Sequence, residues 1–344
     1  MLAGGEGTRL RPLTYTTPKP VMPLAGRPFL SFMLDWLRSH GVDEVILSCG
    51  FGSHAVKLVL GDIYDGMRLR YVIENEPLGT AGPVRLAHDE DVLEERLLVL
   101  NGDVLTDIDL TAELEQHRRT GARATLALLP VEDTSSYGVV PTAEDGQVEA
   151  FIEKGGGDAP TNGINAGAYV IEREVIDSIP AGRAVSFERE VFPSLVGEGL
   201  YGFDAAGYWI DIGTPERYLE ATWDLLAGRV RSSLPPRDET GSLVYENCLL
   251  SGAHVGPQSV LGRHCSVGTD ARVERSVLHE RVHVGADAAV VEAVLAERVR
   301  VGERARVGPD AMVGAGAIIP PDTILPAGAR IEPGVTVSSS EPVS

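Results

Sequence analysis

From Leu243 onward an apolar residue returns at nearly every sixth position, a period that belongs to neither a helix nor an ordinary strand. The series is Leu243, Leu249, Val255, Leu261, Val267, Val273, then Leu278, Val284, Val290, then Leu295, Val301, Val307, Val313, Ile319, Leu325, Ile331 and Val337. Gly follows the apolar residue at 256, 262, 268, 285, 302, 308 and 314. A hexapeptide parallel β-helix accounts for both patterns, with apolar residues stacked into a core and small residues turning the corners. The five-residue steps, Val273 to Leu278 and Val290 to Leu295, predict coils distorted at those places. This reading sets a β-helix domain at 240–337 and a polar, disordered tail at 338–344.

Upstream, short apolar runs alternate with helical periodicity, the pattern of an α/β domain around a mixed, mostly parallel sheet with flanking helices. Val45 to Ser48, Arg70 to Ile73, Leu97 to Leu100 and Ala124 to Leu129 read as buried strands. Phe29, Met33, Trp36, Leu37 and His40 share one helix face, and Thr214 with Pro215 forms the cap and first turn of another helix. Ser232 to Asp238 breaks the pattern, because its paired prolines cannot continue a helix. The expected division is therefore an α/β domain at 1–231, a linker at 232–239, and the β-helix.

Composition removes several function classes. A net charge of −20 argues against a nonspecific nucleic-acid or anionic-membrane binder, which needs a basic surface. Three cysteines, Cys49, Cys248 and Cys265, lack the spacing of a zinc site or disulfide framework, so a reducing cytoplasm is the expected compartment. No run approaches the roughly 18 apolar residues of a membrane span.

Any phosphate site must therefore be local, and the start of the chain offers one. Leu2-Ala3-Gly4-Gly5-Glu6-Gly7-Thr8-Arg9-Leu10-Arg11-Pro12-Leu13-Thr14, followed by Pro18-Lys19-Pro20, has the makings of a phosphate cradle. Glycines let backbone N–H groups approach an anion, and Arg9 and Lys19 add positive charge. The run is not a Walker A loop, and Leu10 occupies the third glycine position of the dinucleotide fingerprint. Only Met1 to Ala3 precede the loop, whereas a first strand usually needs about five residues, so the expectation is either a truncated strand or a recorded start that is not the true one. Asp103 follows the apolar run Leu97 to Leu100, and Asp211 follows Tyr208-Trp209-Ile210. Carboxylates at the carboxyl ends of strands lie where open α/β sheets bind ligands, and two of them suit Mg²⁺, which draws its other ligands from water and substrate phosphates. Asp107 and Asp109 read instead as caps of the next helix.

The glycine run resembles the signature of the sugar-nucleotide pyrophosphorylases, a nucleotidyltransferase family of Rossmann-like fold. Further segments resemble that family in order: Glu76 to Pro83, Asn101-Gly102-Asp103, Ser136 to Val140, Phe151-Ile152-Glu153-Lys154, Ile164 to Gly167, Glu188 to Pro193, and Trp209 to Gly213. The repeats similarly resemble the left-handed β-helix of hexapeptide acyltransferases and sugar nucleotidyltransferases. Nearly the whole chain is covered, and the likeness is strongest to the branch that forms GDP-mannose from GTP and mannose 1-phosphate.

The resemblance implies transfer of a nucleoside monophosphate from a nucleoside triphosphate to a sugar 1-phosphate, with release of pyrophosphate. It assigns Asp103 and Asp211 to the metal, Arg9 to the leaving phosphates, and Lys19 to the α-phosphate. Lys154 would hold the sugar phosphate and Glu153 the sugar hydroxyls, with Tyr137, Gly138 and Asn165 lining the sugar. Leu2, Ala3, Gly4, Gly5, Gly7 and Thr8, with Leu78, Gly79, Thr80 and Ala81, would line the nucleotide. Gly155 stands where the family usually has proline, so the placement of Lys154 is expected to be looser. UTP or dTTP with glucose 1-phosphate is the alternative substrate pair, and a noncatalytic regulatory subunit is an alternative role. Acetyl transfer by a coil histidine would draw on His254, His264, His279 or His283. The β-helix is expected to support a homo-oligomer.

Overall fold

The computed structural model describes residues 1–90, 94–135, 137–152 and 161–338. Gly155 and the tail beyond 338 lie outside that set. By contacts the chain divides into two compact units, Met1–Gly5 with Trp36–Trp209, and Glu6–Asp35 with Ile210–Ser344.

The first unit is a mixed α/β structure. Strand β1 (Glu44–Cys49) pairs in parallel with β2 (Met67–Ile73). A second sheet has the order β3 (Arg96–Leu100), β5 (Gly163–Glu172), β4 (Ala124–Pro130), β6 (Leu200–Asp204). Here β4 and β6 are parallel, whereas β5 runs antiparallel to both of its neighbours. The centre of β5 and most of β4 are buried continuously, which is why their sequences show apolar runs rather than alternation. Tyr169 on β5 packs edge-on against Phe192 with ring centroids 5.0 Å apart, and Phe187 stacks on Phe192 at 5.1 Å.

The two sheets meet at the chain's first residues. Leu2 makes parallel bridges to Ser48 of β1 and to Asn101 just past β3. Its N–H donates to Leu100 O at 2.8 Å, and the Met1 ammonium donates to Ile46 O at 2.8 Å. The expected short strand is thus a single bridged residue, with a cavity of about 520 Å³ beside it lined by Val45, Leu97 and Leu98.

Helix α1 (Gly82–Asp89) and helix α2 (Leu110–Thr120) flank this unit. Asp109 caps α2 as expected, accepting from Ala112 N at 3.0 Å. Asp107 does not cap it; its buried carboxylate accepts from Tyr208 N at 2.7 Å. The helix Phe29–Ser39 is buried on more than the expected face, because Leu30, Phe32 and Leu34 are covered as well as Phe29, Met33, Trp36 and Leu37.

The second unit is built on a parallel β-solenoid of about five turns, consistent with the left-handed coil expected. Three ladders of two- or three-residue strands form its faces. Register shows how the period works: Leu261 lies over Leu278 and Leu278 over Leu295, while Leu295 lies over Val313 and Val313 over Ile331. The two short steps therefore stack directly above one another. Each is absorbed by a three-residue strand, Arg272–Glu274 or Ala289–Val291, leading into a tight corner at Arg275 or Glu292.

Two sequence assignments change. Val244 and Leu250 hold the inward register beneath Leu261 and Val267, whereas Leu243 and Leu249 occupy the outward position. The glycines after the core residues do not turn the corners either. Left-handed backbone at the corners falls on residues such as His264, Asp270, Arg275, Arg281 and Asp287, with φ between 47° and 61°. The glycines instead let successive coils approach: a Cβ on Gly268 would lie 2.7 Å from Ala286 N, and one on Gly285 2.7 Å from Glu303 N.

One solenoid face is covered. Its outward residues Val260, Val277, Val294 and Met312 are buried, and Thr17, Val21 and Pro23 line a small cavity together with Val260 and Val277. Helix α3 (Pro215–Ala227) packs on the same unit, with Trp223 Nε1 donating to Arg275 O at 3.1 Å and the Arg275 guanidinium 3.8 Å above the indole. Its start is as expected: Thr214 accepts from Arg217 N and Pro215 opens the first turn. His279, counted among the candidate acetyl-transfer bases, is buried beside Tyr218, whose hydroxyl lies 3.2 Å from Nε2. Burial lowers its pKa to about 4, so this imidazole is a neutral packing residue.

Candidate nucleotide and sugar site

The glycine-rich loop turns at Gly7, whose φ of 64° favours glycine. A Cβ there would meet Thr14 Cγ2 at 3.0 Å and Lys19 Cβ at 3.1 Å, so the turn is clamped by the segment downstream. Thr14 Oγ1 donates to Gly7 O at 2.9 Å, and Leu10 is fully buried, anchoring the 3₁₀ turn Thr8–Leu10. Thr8 and Arg9 are left exposed at its surface.

Pro18 and Pro20 hold Lys19 in a second 3₁₀ turn, and this lysine is nearly buried. Its Nζ lies 3.8 Å from Asp211 Oδ1, and Arg9 Nη2 lies 3.9 Å from Asp211 Oδ2. The carboxylate is thus flanked by two cations, each farther than a tight charge-assisted hydrogen bond. Gly213 makes the room, since a Cβ there would lie 2.5 Å from Arg9 Nη2. The expected Arg9, Lys19 and Asp211 are thus brought together within one unit.

Leu2 to Gly5, Leu78 to Ala81, Asp103, Tyr137, Gly138 and Asn165 belong to the first unit. Leu2 and Ala3 are held by backbone bonds, Ala3 N donating to Ser48 O at 2.8 Å. Gly4 approaches Glu74, whose Oε1 would lie 2.8 Å from a Cβ, while Gly5 is open. Asp103 sits half-buried in the turn that follows β3. Gly102 allows that turn: its N donates to Leu2 O at 2.8 Å, and a Cβ would lie 2.6 Å from the same oxygen.

Gly79 has φ 77° and passes so close to Val185 O that no side chain fits. Leu78 O and Ala81 N bond Val185 N and O, each at 2.9 Å. The Thr80 hydroxyl donates to Glu188 Oε2 at 2.7 Å and accepts from Phe187 N at 2.8 Å. The hydroxyl thus ties this segment to Phe187 and Glu188.

Tyr137, Gly138 and Asn165 share a cavity of about 660 Å³ with Asn101, Glu188 and Arg189. Tyr137 stands edge-on to Trp209 at 5.4 Å, and Trp209 Nε1 donates to Ala166 O at 2.8 Å. Asn165 Oδ1 accepts from Gly167 N at 2.9 Å, and its Nδ2 donates to the Tyr169 hydroxyl at 3.0 Å. Glu153 and Lys154 lie outside the described residues. The sequence marked Glu188 only as part of the segment Glu188 to Pro193 and gave it no role, since its bond to Thr80 spans 108 positions; Tyr169, two residues past Gly167, it did not mark.

Among the described residues no three His, Cys, Asp or Glu side chains cluster as a metal cage. Asp211, beside Lys19 and Arg9 in the second unit, and Asp103, in the turn after β3 in the first, each present hard carboxylate oxygens of the kind a divalent cation takes alongside phosphates and water.

A mixed α/β unit, a glycine-turned loop whose Arg9 and the nearby Lys19 flank a carboxylate, and a hexapeptide β-solenoid define a nucleotidyl-transferring enzyme class. The chain belongs to the nucleotidyl transferase family, whose model matches residues 1–228; a GlmU-like C-terminal hexapeptide model matches 236–320. It is 41% identical to the mannose-1-phosphate guanylyltransferase of Mycobacterium tuberculosis, over 80% of this chain and 77% of that one. It is 35% identical to mannose-1-phosphate guanylyltransferase 1 of Arabidopsis thaliana, over 80% and 79%. Among solved structures it resembles HddC from Yersinia pseudotuberculosis complexed with GMP-PN, with a TM-score of 0.55, 30% identity, and coverage of 64% of this chain and 95% of that one. Enzymes of this family generally use a divalent metal.

Proposed function

We propose that the protein is a Mg²⁺-dependent mannose-1-phosphate guanylyltransferase, forming GDP-mannose and pyrophosphate from GTP and mannose 1-phosphate. The observation that carries the reaction is Asp211 held between Lys19 and Arg9 beside the clamped glycine turn. The substrates rest on the relatives' activities, which favour GTP and mannose over the UTP or dTTP and glucose alternative. Asp103 and Asp211 are the proposed Mg²⁺ residues; the bound ion would neutralise charge on the triphosphate.

A sugar 1-phosphate is mostly dianionic at neutral pH, since its second pKa is about 6, so its attacking oxygen needs no general base. The residues' work is electrostatic. Arg9 is assigned to the leaving pyrophosphate and Lys19 to the α-phosphate, where charge builds as the bonds exchange. Lys154 is assigned to the sugar phosphate and Glu153 to sugar hydroxyls. Leu2, Ala3, Gly4, Gly5, Gly7 and Thr8, with Leu78, Gly79, Thr80 and Ala81, are assigned to the nucleotide, and Tyr137, Gly138 and Asn165 to the sugar. We place the catalytic domain at 1–231 and the β-helix at 240–337, the latter supporting a homo-oligomer that light scattering would detect. Three free cysteines favour the cytoplasm, and among the described residues no helix is long and apolar enough to cross a membrane.

The test is pyrophosphate release with Mg²⁺ across GTP, UTP, dTTP, ATP and CTP, each with mannose 1-phosphate and glucose 1-phosphate. Dominance of GTP with mannose 1-phosphate is expected. Preference for another pair would change the substrates, and silence throughout would favour a regulatory subunit.

A further inference from the structure

Glu188 is an acceptor-only group on the wall of the Tyr137–Asn165 cavity, and its neighbours fix its geometry. Oε2 accepts from the Thr80 and Ser186 hydroxyls, each at 2.7 Å, and Oε1 accepts from the Tyr169 hydroxyl at 3.3 Å. Tyr169 in turn accepts from Asn165, which is oriented by Gly167 N. Burial, and after it the charge of Glu188, push the Tyr169 pKa well up, so its phenol stays protonated and remains a donor toward the carboxylate. A relay therefore runs from the backbone at Gly167 through Asn165 and Tyr169 to Glu188.

A carboxylate offers about four lone-pair sites, and these three hydroxyls take three. Because Glu188 also lines the cavity, we propose that its remaining acceptor site binds a sugar hydroxyl and makes Glu188 a specificity-determining contact for the sugar. The ring of fixed donors sets that site's direction before substrate arrives, the preorganisation that gives a hydrogen-bonded pocket its discrimination. Thr80 then links the segment assigned to the nucleotide with the sugar cavity, because one hydroxyl both supports Glu188 and accepts from Phe187 N.

This inference rests on the sugar 1-phosphate reading, and the experiment separates the two. For the full chain with GTP and Mg²⁺, kcat/KM is measured for mannose 1-phosphate and its singly deoxygenated and singly fluorinated analogues, in wild type and in Glu188→Gln. In wild type, one position should lose on the order of 10- to 100-fold on deoxygenation, as for a hydrogen bond to a charged group. Fluorine should not rescue it there, because fluorine cannot donate to a carboxylate. In Glu188→Gln the parent sugar should fall by a similar factor, and deoxygenation at that position should then cost little more. Fluorine rescue at every position in wild type would overturn the proposal even if the variant failed to fold. Unchanged deoxygenation penalties in a folded Glu188→Gln would overturn it as well. If wild type prefers another sugar 1-phosphate, the substrate reading fails, and the same scan on the accepted sugar decides the role of Glu188.

Discussion

At the residue scale, Asp211 and Glu113 show opposite ways a carboxylate sits in this protein. Asp211 is flanked by Lys19 and Arg9, and its proposed work is to carry charge toward a cation and phosphates. Asp211→Asn keeps the volume and removes the charge, so turnover should fall by at least 100-fold with little change in melting temperature; Asp103→Asn should behave alike. Pyrophosphate release beside a thermal melt checks this, and full activity in either variant would refute its metal assignment. Glu113 on α2 is fully buried, and neither carboxylate oxygen has a hydrogen-bond partner. Burial holds its pKa well above 4.5. The folded state then keeps a proton that the unfolded chain releases near pH 4.5, so stability falls as pH rises from there toward the folded pKa, by up to about 1.4 kcal/mol per pH unit. Glu113→Gln should match wild type near pH 4.5 and exceed it increasingly toward pH 8 in denaturant unfolding; parallel curves would sink this account. Sequence could place Asp211 because a strand end and a motif mark it. It could not mark Glu113, which reads as an ordinary polar position on an amphipathic helix.

Among the elements, the solenoid shows what a period can and cannot specify. Six-residue spacing located the core from Leu261 onward, because each inward residue there is buried beneath the next coil. It failed at Leu243-Val244 and Leu249-Leu250, where both members of each pair are apolar and spacing cannot choose between them. Leu243 is buried as an outward residue, so its hydrophobicity reports cover from elsewhere in its unit. The glycines were also misread, and the two structural classes make different predictions. Gly302 has an ordinary φ, but a Cβ would collide with the backbone of Pro321 in the next coil. Gly328 has φ 73° with open space around it. Gly328→Ala should cost only about 1–2 kcal/mol, the penalty of a left-handed alanine. Gly302→Ala must push two coils apart and should cost more, roughly 3 kcal/mol. Hydrogen exchange in coils beyond 295 should rise more strongly for Gly302→Ala; the reverse order would reassign the glycines to the corners.

Across the whole molecule, contact and sequence order divide the chain differently. A paired-proline segment and the onset of the repeat suggest a catalytic half followed by an independent β-helix. Yet residues 6–35, which carry Arg9 and Lys19, cluster with the solenoid. The Tyr218 hydroxyl binds Pro23 O and lies 3.2 Å from His279, while the Tyr245 hydroxyl donates to Ala25 O at 2.8 Å. Long-range packing of this kind leaves no local trace, since the turn at Pro23 to Gly26 reads the same whether or not a solenoid covers it. Its consequence is mechanistic: the segment clamping the phosphate loop rests partly on the β-helix. A chain ended at residue 231 would expose the face of α3 around Tyr218 and Trp223 and would remove the partners of Ala25 and His279's neighbours. It should therefore melt well below the full chain and lose turnover mainly through a looser Lys19 and Arg9, seen as weaker GTP binding by titration calorimetry. A truncated chain that keeps both the melting temperature and the GTP affinity of the full protein would show that the phosphate loop is self-sufficient and that the solenoid serves assembly alone.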